Sequence, residues 1–163
     1  MVTKSYGGAI LFYGKVLNNT DKNEILYQAF LSRGKAYYEL GRTEDSKNDY
    51  LAAYDIYPSR IDVLVPLAKV YLDLSRKEEA MYTIEKALNY DPDYPPAHHI
   101  AGRIAFEQEK YEKAIESYKK CTELQPENSA AFLSLAESYL KNHDYDKAMS
   151  AIDKSIILSP EDP

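Results

Sequence analysis

Tryptophan is absent from the chain, and cysteine occurs once, at Cys121. One thiol excludes an internal disulfide and a thiolate metal cluster. Positive charge is in deficit: 20 Lys and Arg face 26 Asp and Glu, for a net charge of −6 and a pI near 5.1. A phosphate polymer needs a basic face, so nucleic acid is not an expected partner. Long apolar runs are also missing. The uncharged stretch Ser5 to Gly14 contains three glycines and falls far short of the roughly 20 apolar residues of a membrane span. It ends in no clear small-residue cleavage site, so it is not read as a signal peptide, and no membrane insertion is expected. No glycine-rich phosphate loop, G-x-S-x-G or H-E-x-x-H occurs, so neither enzyme activity nor a cofactor is expected. A charged chain of this kind is expected in the cytoplasm. What the sequence has in excess is tyrosine, at 16 residues.

Proline and tyrosine recur on a schedule. Pro58, Pro92, Pro126 and Pro160 stand 34 residues apart. Units counted from 27, 61, 95 and 129 reveal further columns. The eighth place holds Gly34, Ala68, Gly102 and Ala136; the twentieth holds Ser46, Ala80, Ala114 and Ala148; the twenty-seventh holds Ala53, Ala87, Cys121 and Ser155. All twelve are small. The eleventh place carries Tyr37, Tyr71, Ala105 and Tyr139, and the twenty-fourth carries Tyr50, Ile84, Tyr118 and Ile152. Within a unit the apolar residues fall at i, i+3, i+4 and i+7, as in Phe132, Leu135, Ala136 and Tyr139, which is helical spacing. Each unit therefore reads as two helices of about 14 residues, each roughly 21 Å long, joined by a polar turn. Small columns let helices approach, and aromatic columns fill the space beside them. The closing proline ends the second helix, whereas Pro95 and Pro96 fit a first helical turn.

These columns resemble the tetratricopeptide repeat, whose 34-residue pattern runs W-x2-L-G-x2-Y, then A-x3-F, then P. Tyr111 to Ile115 and Tyr145 to Met149, each with an alanine in fourth position, resemble its inter-helix turn. The resemblance implies an all-α fold, an α-solenoid of stacked antiparallel helix pairs wound into a right-handed superhelix. The units are residues 27–60, 61–94, 95–128 and 129–162. Residues 1–26 form a helix and a polar loop, with Ala9, Ile10, Tyr13, Val16 and Leu17 spaced like the second helix of a preceding unit. The family's tryptophan place holds Phe30, Leu64, His98 and Phe132, so His98 is expected at a buried position. Pro66, at the sixth place of its unit, is expected to kink the first helix or delay its start. Arg33 replaces an apolar residue, which is read as a response to the irregular N-terminal piece.

From the repeat columns the chain is expected to start in mid-repeat, with no capping helix, which solenoid ends normally need, within the three residues after Pro160. It is expected to be a fragment of a longer array or to stack on another copy. Met149, Ile156 and Leu158 would face that neighbour, giving a homo-oligomer through the C-terminal helix.

Family resemblance puts the second, fifth, ninth, twelfth and thirteenth places of the first helices on a concave groove. The ninth place reads Lys35, Lys69, Arg103 and Glu137; the thirteenth, opposite in sign each time, reads Glu39, Asp73, Glu107 and Lys141. Each pair is i, i+4 and meets on the helix surface. Beside them stand Tyr38, Leu72 and Phe106, and Leu31, Val65 and His99. These residues read either as ordinary solvated ion pairs or as a groove for a peptide segment of a partner protein. In the second reading Lys35, Lys69 and Arg103 pair acidic groups while the aromatic and aliphatic residues anchor apolar ones. Some members of the family clamp a chaperone's C-terminal carboxylate with lysine at place five and asparagine at place nine; Leu31/Lys35, Val65/Lys69 and His99/Arg103 do not match. His98 and His99 point about 100° apart on a helix and cannot readily share a metal ion. Cys121 lies in a small-residue packing column and reads as buried rather than nucleophilic. A non-enzymatic protein-interaction scaffold is the favoured reading. The alternatives are a docking or regulatory segment of a larger enzyme or assembly machine, and a self-assembling scaffold.

Overall fold

A computed structural model describes the backbone of residues 2–159 and the side chains of 5–159. Among the described residues are nine α-helices and no strand. They fall into two compact units, one ending at Tyr90 and the other beginning at Asp91. The first unit contains α1 (Val2–Asn18), α2 (Asn23–Glu39), α3 (Thr43–Ile56), α4 (Leu64–Asp73) and α5 (Lys77–Tyr90). The second contains α6 (Pro95–Glu107), α7 (Tyr111–Leu124), α8 (Ser129–Lys141) and α9 (Tyr145–Leu158). Consecutive helices pair as α2 with α3, α4 with α5, α6 with α7 and α8 with α9, while α1 packs on α2.

The pairs turn on one device used four times. The fifteenth place of each repeat, Gly41, Ser75, Glu109 and His143, has a left-handed backbone with φ between 59° and 71°. Around Gly41, its own amide donates to the Tyr38 carbonyl at 2.9 Å and the Arg42 amide donates to the Tyr37 carbonyl at 2.9 Å. The Arg76, Lys110 and Asp144 amides donate in the same way to Tyr71, Ala105 and Tyr139. This pattern satisfies the last carbonyls of the first helix while the left-handed residue reverses the chain. Pro58, Pro92 and Pro126 each lie two residues beyond the end of a second helix. Pro160 is outside the described residues. Pro95 and Pro96 open α6, where a missing amide hydrogen costs nothing.

Pro66 delays its helix rather than kinking it. A 3-10 turn at Ile61–Val63 precedes α4, so Pro66 falls in the first turn of the α-helix. The N-terminal loop is shorter than its polar composition suggests, because α2 begins at Asn23 and only residues 19–22 lie outside helices. Glu24 stabilises that start: it lies at the positive end of the helix and accepts two hydrogen bonds from Arg60, at 3.0 and 2.8 Å.

Eleven of the twelve small-column residues are buried, Ser155 near the C-terminus being half-buried. At the eighth place the reason is direct. A Cβ added to Gly34 would fall 2.9 Å from the Tyr50 ring, and one added to Gly102 would fall 2.8 Å from the Tyr118 ring. Where the eighth place is alanine, the twenty-fourth carries isoleucine: Ala68 with Ile84, and Ala136 with Ile152. Cys121 is buried as expected, and burial pushes its thiol pKa up.

One expectation is corrected and another is extended. His98 is only half-buried, because its ring nitrogen lies 2.8 Å from the Pro92 carbonyl oxygen, and that polar contact holds it at the unit's edge. Arg33 does lie beside the N-terminal helix, near Gly14, but it also answers a buried partner in its own repeat. Its Nε and one terminal nitrogen donate to the two carboxylate oxygens of Asp49, both at 2.7 Å, and Asp49 is 4% exposed. The fourth repeat has Leu135 and Ala151 at these two places. Arg33→Leu alone strands a buried carboxylate and should cost about 3–5 kcal/mol. Adding Asp49→Ala should recover most of that loss in urea denaturation.

Candidate interaction faces

The residues predicted for peptide binding sit on α2, α4 and α6, and each compact unit presents its own set. In the second unit the arrangement is clear. Ala97, Ile100, Ala101, Gly102, Ile104 and Ala105 of α6 turn inward and are buried. His99, Arg103, Phe106 and Glu107, spaced i, i+4, i+7 and i+8, remain on one partly open stripe. The Nε of Arg103 donates to a Glu107 carboxylate oxygen at 3.0 Å, so this predicted i, i+4 pair is formed. His99 packs edge-on against Tyr118, with ring centroids 5.3 Å apart, and its Nε2 lies 3.5 Å from the Ser134 hydroxyl. Phe106 packs edge-on against Tyr111 at 5.6 Å and against the hydrophobic core of this unit. Burial pushes the Tyr118 phenol up to about 12, so it stays neutral and donates no charge to the face.

In the first unit, Lys35, Glu39, Lys69 and Asp73 are exposed, and Leu31 and Tyr38 are half-buried. Val65 and Leu72 do not belong to an open face. They are 6% and 4% exposed, buried with most of the strongly apolar α4. The repeat count places them correctly on the helix, but α4 is shortened to Leu64–Asp73 and most of its surface is enclosed.

On the C-terminal helix, Met149, Ile156 and Leu158 are exposed as expected, joined by Ile157, which at 77% is the most exposed of the large hydrophobic residues among those described. Of these only Ile156 reaches an open hollow of about 470 Å3 between α8 and α9, which it borders with Leu133 and Ile152. The sequence reading missed a lysine comb on the second helices, Lys86, Lys120 and Lys154, also 34 residues apart. Its periodicity was available, but lysines on such helices look like ordinary solvated positions.

Stacked antiparallel helix pairs with these columns define a class, the helical-repeat interaction scaffold. The chain belongs to the tetratricopeptide-repeat family. The family description "Tetratricopeptide repeat" matches residues 27–60 and 61–94, and the related description "Anaphase-promoting complex, cyclosome, subunit 3" matches residues 78–155. A curated relative, the uncharacterized protein ycf37 of Pyropia yezoensis, is 30% identical over 97 residues, covering 54% of each chain. The chain thus spans about half the length of that relative. Among solved structures, a MamA protein is similar at 22% identity with a TM-score of 0.82, over 98% of this chain and 92% of that one. YrrB, described as a TPR protein with an unusual peptide-binding site, is similar at 20% identity with a TM-score of 0.73, over 98% of this chain and 80% of that one. The fold is an all-α solenoid, and proteins built this way are in general scaffolds that bind other proteins. No helix among the described residues is long and apolar enough to cross a membrane.

Proposed function

We propose that the chain is a non-enzymatic scaffold that binds a peptide segment of a partner protein on the open faces of its first helices. The observation that carries this reading is the stripe on α6, where an aromatic ring, an imidazole, a guanidinium and a carboxylate share one partly open face of a helix whose inward residues are buried. An apolar side chain of the partner would seat beside Phe106, and its acidic groups would meet Arg103, with Lys35 and Lys69 playing that part in the other unit. YrrB is described as carrying a peptide-binding site, and the shared fold makes the same use reasonable here. Cytoplasm is the compartment proposed, on the acidic chain with 28% charged residues. Affinity capture with the wild type and with Lys69→Glu/Arg103→Glu tests the assignment. The double reversal should abolish recovery of the partner, and unchanged recovery would defeat the reading.

A second reading, self-assembly through the C-terminal helix, is favoured by the exposure of Met149, Ile156 and Leu158 at 66%, 55% and 37%. Ile156 also borders the open hollow between α8 and α9. Light scattering across a concentration series should show mass rising for the wild type and staying at the monomer for Ile156→Glu. A monomer at every concentration removes this reading and leaves the peptide-binding one standing.

A further inference from the structure

The second unit carries another surface, on a different side of α8 from Leu133 and Leu140. A groove of about 440 Å3 runs between α7 and α9 with α8 beneath it. Its floor is Phe132, Leu135 and Tyr139, which share one stripe of α8 and lie almost covered, at 8%, 6% and 9% exposure, beneath the surrounding side chains. Lys119 enters from α7, and Lys147 and Lys154 enter from α9. The Lys154 ammonium lies 5.4 Å from the centroid of the Phe132 ring, and the Lys147 ammonium lies 5.6 Å from that of Tyr139. Two carboxylates, Glu123 and Asp146, also border the groove.

This clustering runs against the charge of its surroundings. From residue 91 to 163 the sequence has fourteen Asp and Glu against eight Lys and Arg. Three of those eight cations nevertheless stand around one apolar floor. Their partners differ from those of the equivalent lysines. Lys86 donates to the Tyr54 hydroxyl at 3.1 Å, and Lys120 is salt-bridged to Asp93 at 2.9 Å. Lys147 is held by Asp144 at 3.4 Å. Among the described residues, no carboxylate is salt-bridged to Lys119 or Lys154. A lysine over a ring face is a weak, exchangeable contact at an exposed site, and its flexible stem can swing aside.

We propose that this groove is a second binding site, for an extended acidic peptide segment with a large aromatic or aliphatic side chain. That side chain displaces the lysine stems and rests on Phe132, Leu135 and Tyr139. The flanking carboxylates of the segment pair with Lys119 and Lys154. Cavities of about 300–1,000 Å3 are typical of sites for small ligands, so this groove takes a few residues rather than a whole helix. The net negative charge of the unit disfavours a nucleic-acid strand, whose binding depends on a broad basic field. The inference stands apart from the first-helix stripe, since none of the groove's residues belongs to α6.

The probe is a fluorescein-labelled twelve-residue peptide with two phenylalanines, each flanked by aspartates. Its counterpart has asparagine in place of every aspartate. Fluorescence anisotropy should show the acidic peptide binding at least about tenfold more tightly than the counterpart, with affinity falling as salt rises. Lys119→Glu/Lys154→Glu should weaken it by at least about tenfold, whereas the equal charge change Lys113→Glu/Lys141→Glu should not. Circular dichroism of both variants checks that the helices persist. No binding, equal binding of the two peptides, equal loss in both variants, or full displacement by a single-stranded oligonucleotide would each overturn the proposal.

Discussion

The closest approach between paired helices is set by what the eighth place of a repeat leaves open and what the twenty-fourth place puts there. Gly34 and Gly102 leave the backbone bare, and the rings of Tyr50 and Tyr118 lie directly on it. The other repeats divide the same space differently, with alanine on the first helix and isoleucine on the second. Added volume on one side is matched by removed volume on the other, as dense packing requires. A glycine in mid-helix costs stability, so its presence at Gly34 and Gly102 makes sense only against a ring that no Cβ would permit.

The open faces follow from this constraint. Once Gly102, Ala105 and their neighbours are committed to the core, helical geometry leaves His99, Arg103, Phe106 and Glu107 on one side of α6. The same logic operates on α8, where Phe132, Leu135 and Tyr139 turn to the groove bordered by α7 and α9. The left-handed residues Gly41, Ser75, Glu109 and His143 fix the hairpin that makes the pairing local. Neighbour contacts of this kind, rather than one central core, are what holds a repeat protein together.

Much of this was legible in the residues. The proline comb marked the ends of the second helices, and the small columns named buried positions such as Ala80, Ala114 and Ala148, all fully buried. Other features were not legible because they depend on partners distant in sequence. The left-handed turn was hidden because only Gly41 of the four is glycine, the others being ordinary side chains held there by backbone hydrogen bonds. Arg33 and Asp49 look like two separate polar residues until the pair is folded. Spacing located Val65 and Leu72 on the helix but could not tell how fully their surroundings would close over them. His98 was read from the tryptophan place, while its contact with the Pro92 carbonyl decides how far it is buried.

A double-mutant cycle at Gly102 and Tyr118 tests the central constraint most directly. In urea denaturation, Gly102→Ala should destabilise the wild type by about 1–3 kcal/mol through overpacking, although the same change in an open helix stabilises by roughly 1 kcal/mol. In a Tyr118→Ile background, Gly102→Ala should become neutral or stabilising, giving a coupling above about 1 kcal/mol. If Gly102→Ala is harmless in the wild type, or costs the same with and without the ring, the eighth and twenty-fourth places do not set the helix separation.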